Sequence, residues 1–274
     1  MLKIATCQMT SGSDVQENLK TASSLIRQAA LQGAELAILP EMFPLMGDTD
    51  ALFKIAEDYE SGPIQEEIAN VAKQNGITVV AGSIPLKSDT PDRIYNSSIV
   101  YDSFGGTLAR YDKIHLFAYS HATESHDETQ YFKPGTKPVH FSLPLVNGIT
   151  LKVGLAVCYD LRFPRLFRYM DTPDLIVLPS AFTVNTGRAH WELLLRARAV
   201  ENLCYVAAAG QAGTNDSGRS FWGHSTIVDP WGNVVSKLDQ TQTGVSIATV
   251  NPTLIAQVRA TLPALLNRTE YDLE

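Results

Sequence analysis

Three features are scarce in this 274-residue chain, and each absence excludes a class of protein. Cysteine occurs only three times, and such a sparse, odd number argues against a disulfide framework and favours a reducing, cytoplasmic setting. No apolar run approaches the roughly 20 residues that span a bilayer, and the start of the chain lacks the apolar stretch of a signal peptide. We therefore expect no membrane partner.

Clustered positive charge and cofactor-binding glycine motifs are also missing. The chain has 22 basic and 29 acidic residues, for a net charge of −7. Because no basic patch could hold a phosphate backbone, we expect no nucleic-acid partner. The sequence contains no Gly-x-Ser-x-Gly elbow, no phosphate-binding glycine-rich loop and no dinucleotide fingerprint. These absences leave cysteine as the candidate nucleophile.

Strand-like and helix-like segments alternate along the chain. Residues 3–9 have the pattern of a strand, and Asp14 is placed to cap a helix that ends near Gly33. A short buried strand at 36–39 follows, and a helix at 64–74 leads into another strand. Repeated alternation of this kind predicts an α/β fold with helices outside the sheets.

The two halves of the chain resemble each other in the same order. Three pairs of segments match: 36–43 with 175–182, 78–83 with 205–210, and 97–102 with 225–229, the last pair each beginning a hairpin. This pattern predicts two similar α/β halves within one unit covering 1–274, with two sheets face to face and equivalent strand ends meeting at one rim. Chance similarity among strands is the alternative.

Cys158 has a different setting from the other two cysteines. Cys7 and Cys204 lie within apolar segments and are expected to be buried in the core. Cys158 follows a buried strand and precedes Pro164, which can open a helix. A helix N-terminus and the neighbouring Arg162 and Arg165 would lower the pKa of its thiol. Cys158 is therefore the candidate nucleophile.

A cysteine that attacks an amide also needs a base and a group that stabilises the oxyanion. Glu41 follows an apolar strand, where partial desolvation makes a carboxylate a better base. Lys113 follows the first hairpin. Taken alone, Glu41 could equally be a solvated loop residue and Lys113 a surface charge.

Three motifs carry a resemblance to a known family. Residues 39–43 (LPEMF), 111–117 (YDKIHLF) and 154–164 (GLAVCYDLRFP) resemble the catalytic motifs of the nitrilase superfamily of carbon–nitrogen hydrolases. The resemblance spans essentially the whole chain. It implies a four-layer αββα sandwich with an internal pseudo-twofold repeat, a triad of Glu41, Lys113 and Cys158, no cofactor or metal, and a homodimer or larger assembly. It also implies a second glutamate, matched by Glu128.

Other segments indicate a branch of that superfamily. Cys158-Tyr-Asp resembles the amidase branches, and residues 189–202 and 222–232 resemble the omega-amidase branch most closely. The resemblance implies hydrolysis of the terminal amide of a small dicarboxylic monoamide such as 2-oxoglutaramate or succinamate. Deaminated glutathione and N-carbamoyl amino acids are the alternative substrates, and a non-catalytic binding or scaffold protein is the alternative of a different class.

Several residues are candidates for binding that substrate, in a pocket shaped by residues 117–135 and 183–190. The backbone N–H of Tyr159 would join Lys113 in holding the oxyanion. Arg162 can bind a carboxylate through two parallel hydrogen bonds, although it could instead form a structural ion pair. Thr186 could add a hydroxyl contact to the substrate, and Phe43 and Tyr119 are candidates for the aromatic walls of the pocket.

Histidine offers competing interpretations. His115 lies two residues from Lys113, so a Cys–His pair is conceivable, although Glu41 would then have no role. His190 is a second such candidate. The polar stretch 121–128 lacks the ligand spacing of a zinc site, and we interpret it as a loop.

Overall fold

The computed structural model describes residues 1–121, 124–146, 148–267 and 269. The strands are β1 (Leu2–Gln8), β2 (Leu36–Ile38), β3 (Thr78–Val80), β4 (Ile84–Lys87), β5 (Ile94–Tyr101), β6 (Thr107–Asp112), β7 (Ala118–His121), β8 (Glu124–Asp127), β9 (Val139–Pro144), β10 (Thr150–Leu155), β11 (Leu175–Ser180), β12 (Tyr205–Gly210), β13 (Ala212–Thr214), β14 (Ser220–Trp222), β15 (Thr226–Val228), β16 (Val234–Lys237) and β17 (Gly244–Val250). The helices are α1 (Val15–Leu31), α2 (Thr49–Ile55), α3 (Pro63–Asn75), α4 (Pro164–Arg168), α5 (Val184–Asn202) and α6 (Pro252–Thr261).

Two large sheets repeat one topology. Within the described residues, the first sheet has the order β17-β1-β2-β3-β5-β4, with β6 also paired to β5, and the second has the order β16-β15-β12-β11-β10-β9. In the first sheet β1, β2 and β3 are parallel and the hairpin β5–β6 follows antiparallel. In the second, β10, β11 and β12 are parallel and β15–β16 follows in the same way. The predicted internal repeat is confirmed.

The alternation of side chains along each strand builds the layers. Ile4 and Ile38 belong to a hydrophobic cluster shared with the second sheet, whereas their neighbours Ala5 and Ala37 belong to a cluster with α1 and α3. Successive residues of a strand point to opposite faces, so one face meets the other sheet and one meets the helices. Trp191 of α5 packs in the cluster between the second sheet and its helices. The predicted αββα sandwich is confirmed.

The early elements follow local signals in the sequence. The Asp14 carboxylate accepts hydrogen bonds from the backbone N–H groups of Gln16 and Glu17, which caps α1. Helix α3 begins at Pro63 and ends against Gly76, whose backbone is left-handed. The helix boundaries therefore fall within a residue or two of the prediction, while the strands at 36–39 and 77–83 are shorter than predicted.

Two segments differ from the prediction. The polar stretch 121–128 contributes to the two-stranded hairpin β7–β8 and a following 3₁₀ turn, Glu128–Gln130, so its interpretation as a loop is wrong; residues 122 and 123 lie outside the described residues. The sequence predicts a helix over Trp191–Asn202 that begins at His190, but α5 begins earlier, at Val184, because Thr183 caps it by accepting a hydrogen bond from the backbone N–H of Thr186.

Two negative findings hold for the residues that the structure describes. None of their helices is long and apolar enough to cross a membrane. No group of three or more His, Cys, Asp or Glu side chains among them is placed to hold a metal ion.

Gly82, just after β3, supports the turn that carries Glu41. Its φ is +48°, and a Cβ built on it would lie 2.0 Å from the carbonyl oxygen of Pro40. Gly76 has a similar φ of +60°, yet a Cβ there would meet nothing within 4 Å. The two glycines share the left-handed backbone and differ in the space around it.

We expect Gly82→Ala to destabilise the protein more than Gly76→Ala. The Gly76 change should cost about 1–2 kcal/mol for the left-handed conformation alone. The Gly82 change adds steric displacement of the Pro40 backbone, roughly 1–3 kcal/mol more. Urea denaturation followed by circular dichroism measures both, and equal losses would contradict the steric argument.

Candidate active site

A buried lysine lies between two glutamates. Lys113 is 1% exposed, and its Nζ lies 2.8 Å from Glu41 Oε1 and 3.0 and 2.8 Å from the two carboxylate oxygens of Glu128. Burial lowers the pKa of Lys113, but the charges of Glu128 and Glu41 outweigh it and hold the pKa well above its usual value. Lys113 therefore remains a cation, as a buried charge with partners can.

The β5–β6 hairpin places this lysine. Lys113 follows β6, and its backbone N–H donates to the carbonyl oxygen of Asn96 in β5 at 2.9 Å. The side-chain amide of Asn96 in turn donates to Glu41 Oε1 at 3.0 Å. Asn96 thus orients the base and the lysine together. Nothing in the sequence pattern pointed to it.

Glu128 is fixed from two sides. It begins the 3₁₀ turn after β8, and its Oε2 also accepts a hydrogen bond from the backbone N–H of Phe117 at 2.7 Å. Burial raises the pKa of Glu128, and the charge of Glu41 raises it further while Lys113 opposes both. With both carboxylate oxygens occupied by Lys113, Glu128 is placed to orient that lysine.

Glu41 lies in the turn after β2 and is also buried. Its backbone carbonyl accepts a hydrogen bond from the side-chain amide of Gln211, the residue that follows β12, at 3.0 Å. Gln211 also donates to Ser11 Oγ at 2.8 Å. Glu41, after β2 of the first half, is therefore tied to the end of β12 in the second half, at the rim where the repeat predicted that a site would form.

Cys158 occupies a strained position beside Glu41. It begins the 3₁₀ turn Cys158–Arg162 with a φ of +48°, a conformation that costs a non-glycine residue free energy and often marks a functional site. Its thiol lies close enough to the Glu41 carboxylate and to the backbone N–H of Ala181 for both to act on its pKa. The turn thus brings the sulfur of the second half to the carboxylate of the first.

The expectation of a lowered thiol pKa is wrong. Burial raises the pKa of Cys158 well above its usual value, the Glu41 charge adds to this, and Lys113 only partly opposes it. The α4 helix starts later, at Pro164, and Arg165 is exposed, where it donates to Tyr169 Oη. Cys158 therefore rests as a neutral thiol, with Glu41 in position to accept its proton.

The other two cysteines are buried in the core, as predicted. Cys7 in β1 belongs to the cluster under α1 and α3, and burial raises its pKa to about 12. Cys204, just before β12, belongs to the cluster of the second sheet, and burial raises its pKa as well. Neither lines the cavity described below.

Asp160 joins the cysteine turn to the lysine segment. Its Oδ2 accepts hydrogen bonds from the backbone N–H of Val157 at 2.9 Å and from Tyr111 Oη at 2.7 Å. Its Oδ1 accepts from the backbone N–H of His115 at 3.1 Å and lies 2.7 Å from His115 Nδ1. This fully buried carboxylate lies in the third motif, but Tyr111 and His115 lie in the second, so its linking role was not apparent from the sequence.

His115 is not placed as a base for Cys158. Its ring stacks on Phe163 with centroids 3.7 Å apart, and it does not line the cavity. His190 is exposed, and its Nδ1 lies 3.1 Å from Arg162 Nη1. The described geometry therefore favours Glu41 as the proton acceptor over either histidine.

The four predicted catalytic side chains share one cavity of about 660 Å³. Its volume falls within the roughly 300–1,000 Å³ of sites that enclose small organic ligands. The structure brings together Glu41, Lys113, Glu128 and Cys158 on its wall. Their catalytic roles stay a prediction, but the contacts that those roles require are present.

Three of the predicted substrate-binding residues also line the cavity: Tyr159, Arg162 and Thr186. The guanidinium of Arg162 lies over the rings of Tyr159 and Phe182, 5.7 and 5.4 Å from their centroids. Thr186 lies in the first turn of α5, with its Oγ1 2.9 Å from Thr183 Oγ1.

The structure places the other two aromatic candidates away from the cavity. Phe43 is fully buried and packs in the cluster under α1 and α3, because the turn that places Glu41 on the cavity wall directs Phe43 to the opposite side. Tyr119 stacks on Phe117 at 6.0 Å, and it is Phe117 that lines the cavity. Neither position supports the predicted role as a pocket wall.

Two wall segments were missed from the sequence. Residues 45–52, around α2, and 218–221, in the β13–β14 hairpin, complete the cavity beside the predicted segments 117–135 and 183–190. The second missed segment contributes a cation, Arg219. No motif marks either segment, since both reach the cavity only through the packing of the two halves.

Comparison with known proteins gives one family. The model of the family described as Carbon-nitrogen hydrolase matches residues 3–260. A curated relative from Yersinia enterocolitica, named deaminated glutathione amidase, is 35% identical over 268 residues, which span 96% of this chain and 91% of that protein.

Two solved structures resemble the chain over nearly its whole length. Nit3 of Saccharomyces cerevisiae, described as a member of branch 10 of the nitrilase superfamily, has a TM-score of 0.85 and 30% identity, over 96% of this chain and 94% of that one. A glutamate-to-glutamine variant of an amidase from Nesterenkonia sp. AN1, with acrylamide added to its active-site cysteine, has a TM-score of 0.78 and 26% identity, over 97% and 100%.

Alkylation of Cys158 by iodoacetamide tests its protonation state. Because the thiol pKa is raised, the thiolate fraction is small at neutral pH, and the rate should climb through about pH 9 without a plateau near neutrality. Glu41→Gln removes a charge that raises this pKa, so it should alkylate faster than wild type at pH 8 while losing turnover.

Mass spectrometry with Cys158→Ala as the control identifies the labelled site. A plateau near neutral pH in the wild type, or slower alkylation of Glu41→Gln, would contradict the assignment of a neutral resting thiol.

Asp160→Asn tests the link between the two motifs. Four donor atoms converge on the two carboxylate oxygens of Asp160, and the asparagine side chain keeps only one of these oxygens as an acceptor. We therefore expect kcat to fall about tenfold or more, with little change in KM. Tyr111→Phe, which removes one of these hydrogen bonds, should lower the free energy of unfolding by only about 1 kcal/mol. Steady-state kinetics and thermal unfolding measure both; an unchanged kcat for Asp160→Asn would exclude a positioning role.

Proposed function

Because the chain belongs to the carbon–nitrogen hydrolase family, we propose that it is an amidase that hydrolyses deaminated glutathione through a thioester on Cys158. The name of the Yersinia relative favours this substrate over the small omega-amides that the sequence motifs favoured. The omega-amide 2-oxoglutaramate remains the second candidate, because it has the same 2-oxoglutaryl group on the carbonyl side of the amide.

One contact carries the proposal. The Cys158 thiol lies beside the Glu41 carboxylate, whose Oε1 lies 2.8 Å from the ammonium of Lys113, and all three line one cavity. A nucleophile with an adjacent base, and a cation where negative charge develops, are the groups that acyl transfer from an amide requires.

Acylation begins from the neutral thiol. Glu41 accepts the thiol proton as the sulfur forms a bond to the amide carbon. Lys113 and the backbone N–H of Tyr159 stabilise the resulting oxyanion. Glu41 then returns the proton to the amide nitrogen, the C–N bond breaks, and the amine leaves as cysteinylglycine, or as ammonia from a terminal amide.

Deacylation uses the same base. A water molecule donates a proton to Glu41 as its oxygen attacks the thioester carbon, and the same donors stabilise the second oxyanion. The C–S bond breaks, the sulfur recovers the proton from Glu41, and 2-oxoglutarate leaves. Glu128 keeps Lys113 oriented in both halves of the reaction through its two contacts with Nζ.

Arg162 supplies a binding group for the carboxylate of the 2-oxoglutaryl part. It lies four residues after the nucleophile, in the same 3₁₀ turn, and its guanidinium lines the cavity between two aromatic rings. The two rings lie 5.4–5.7 Å from the guanidinium carbon, and the N–H groups of this side chain can bind a carboxylate by two hydrogen bonds.

A substrate panel tests the proposal. Wild type and Cys158→Ala are compared on deaminated glutathione, 2-oxoglutaramate, succinamate, an N-carbamoyl amino acid and a nitrile, with release of the acid product as the readout. We expect the highest kcat/KM for deaminated glutathione and almost no turnover by Cys158→Ala. Preference for 2-oxoglutaramate would favour the second candidate, and no turnover of any compound would favour a non-catalytic binding protein.

Arg162→Gln tests the carboxylate contact. Losing a charge-assisted, two-point hydrogen bond should lower kcat/KM for deaminated glutathione and 2-oxoglutaramate alike, by about 10–100-fold. His190→Ala, which removes the exposed neighbour of Arg162, serves as the control and should leave both values within about twofold. If His190→Ala reproduces the loss, Arg162 acts through that contact and not through the substrate.

A further inference from the structure

The cavity wall carries three cations, and two of them have no carboxylate partner among the side chains that the structure describes. Lys113 is paired with Glu41 and Glu128. Arg162 and Arg219 form no ion pair in the described part of the chain. The remaining acid of the wall is Asp48, whose carboxylate caps α2 by accepting a hydrogen bond from the backbone N–H of Ala51 at 2.8 Å.

The two unpaired arginines reach the cavity wall from different elements, Arg162 from the 3₁₀ turn that begins at Cys158 and Arg219 from the β13–β14 hairpin. Arg162 contacts Tyr159 and Phe182. Arg219 lies near His126: burial lowers the pKa of His126, and the charge of Arg219 lowers it further.

A row of aromatic rings runs from Tyr159, which Arg162 contacts, to His126, on which the charge of Arg219 acts. Tyr159 contacts Phe117, and Phe117 contacts His126, with centroids 5.2 and 5.7 Å apart. His126 Nε2 lies 3.2 Å from Tyr131 Oη. All four of these residues line the cavity. A ligand that reached both arginines would therefore lie along this row.

The backbone that carries Arg219 is fixed. The Asn215 side chain is buried, and its Oδ1 accepts a hydrogen bond from the backbone N–H of Arg219 at 3.0 Å. The Asn215 amide donates to the carbonyl oxygens of Ser11 and Met46, both at 3.2 Å. The exposed Arg219 side chain thus extends from an anchored hairpin at the cavity rim.

The chemistry of the proposed substrate matches two separated cations. Deaminated glutathione has a carboxylate on its 2-oxoglutaryl part and a second on the glycine of its leaving amine, with the scissile amide between them. The monoamide 2-oxoglutaramate has the first carboxylate and lacks the second. With the scissile carbon at Cys158 and the first carboxylate at Arg162, the leaving amine extends toward the remaining unpaired cation.

We propose that Arg219 binds the carboxylate of the leaving amine and so makes the site selective for a carboxylate-terminated peptide amide over a simple terminal amide. This inference rests on the proposed function, since it assigns the second end of that substrate. Phe117, His126 and Tyr131 form the wall along which the cysteinylglycine part lies.

Binding to Cys158→Ala, which cannot form the thioester, tests this assignment separately from catalysis. Adding Arg219→Gln should raise the Kd for deaminated glutathione about tenfold, as expected for loss of a charge-assisted hydrogen bond, and leave the Kd for 2-oxoglutaramate within about twofold. Deaminated glutathione whose glycine carboxylate is converted to an amide should bind more weakly, and Arg219→Gln should weaken it no further. Isothermal titration calorimetry measures all of these values.

Arg188→Gln is the matched control, since Arg188 is exposed on α5 and does not line the cavity. An equal effect of Arg219→Gln on both ligands, no effect on either, or no measurable binding of deaminated glutathione would overturn the inference. Failure of the wild type to hydrolyse a ligand that binds with the expected Arg219 dependence would instead reject only the proposed reaction.

Discussion

The ammonium of Lys113 is the charge on which the rest of the site depends. A cation at 1% exposure is tolerable only with anionic partners, and Glu41 and Glu128 supply them from opposite sides. This requirement fixes Glu41 at 2.8 Å from the lysine and brings Cys158 against the same carboxylate. The proposed base, oxyanion donor and nucleophile are thus held by one buried network, with the Asn96 amide on the same oxygen of Glu41.

The same burial explains why this thiol differs from the reactive cysteines of helix N-termini. The sequence shows the turn and the nearby arginines but cannot show that the sulfur is enclosed against a carboxylate. Desolvation and the Glu41 charge raise the thiol pKa more than Lys113 lowers it. The proton must therefore move during attack, and the immediate neighbour of the sulfur is a group that can accept it.

The sequence predicted those features of the fold and of the site that depend on local residue patterns and motifs. Strand alternation, the Asp14 cap and the repeated segments led to the αββα sandwich, and three motifs led to the cluster of Glu41, Lys113 and Cys158. It could not assign Asp160, which links its own motif to Tyr111 and His115 of another, and it placed Phe43 in the pocket wall although the Glu41 turn directs this side chain into the core. Arg219 reaches the cavity only through tertiary packing, so no local sequence pattern could predict its place in the cavity wall.

The repeated topology has a consequence for how this site is made. Glu41, Lys113 and Glu128 precede β9, whereas Cys158 and Arg162 follow β10, so the first half of the chain supplies acid and ammonium and the second supplies sulfur and guanidinium. Neither half contains a competent constellation by itself. The proposed site is complete only where the two repeated halves pack against each other. A measurement of turnover therefore also measures whether the two halves have packed correctly.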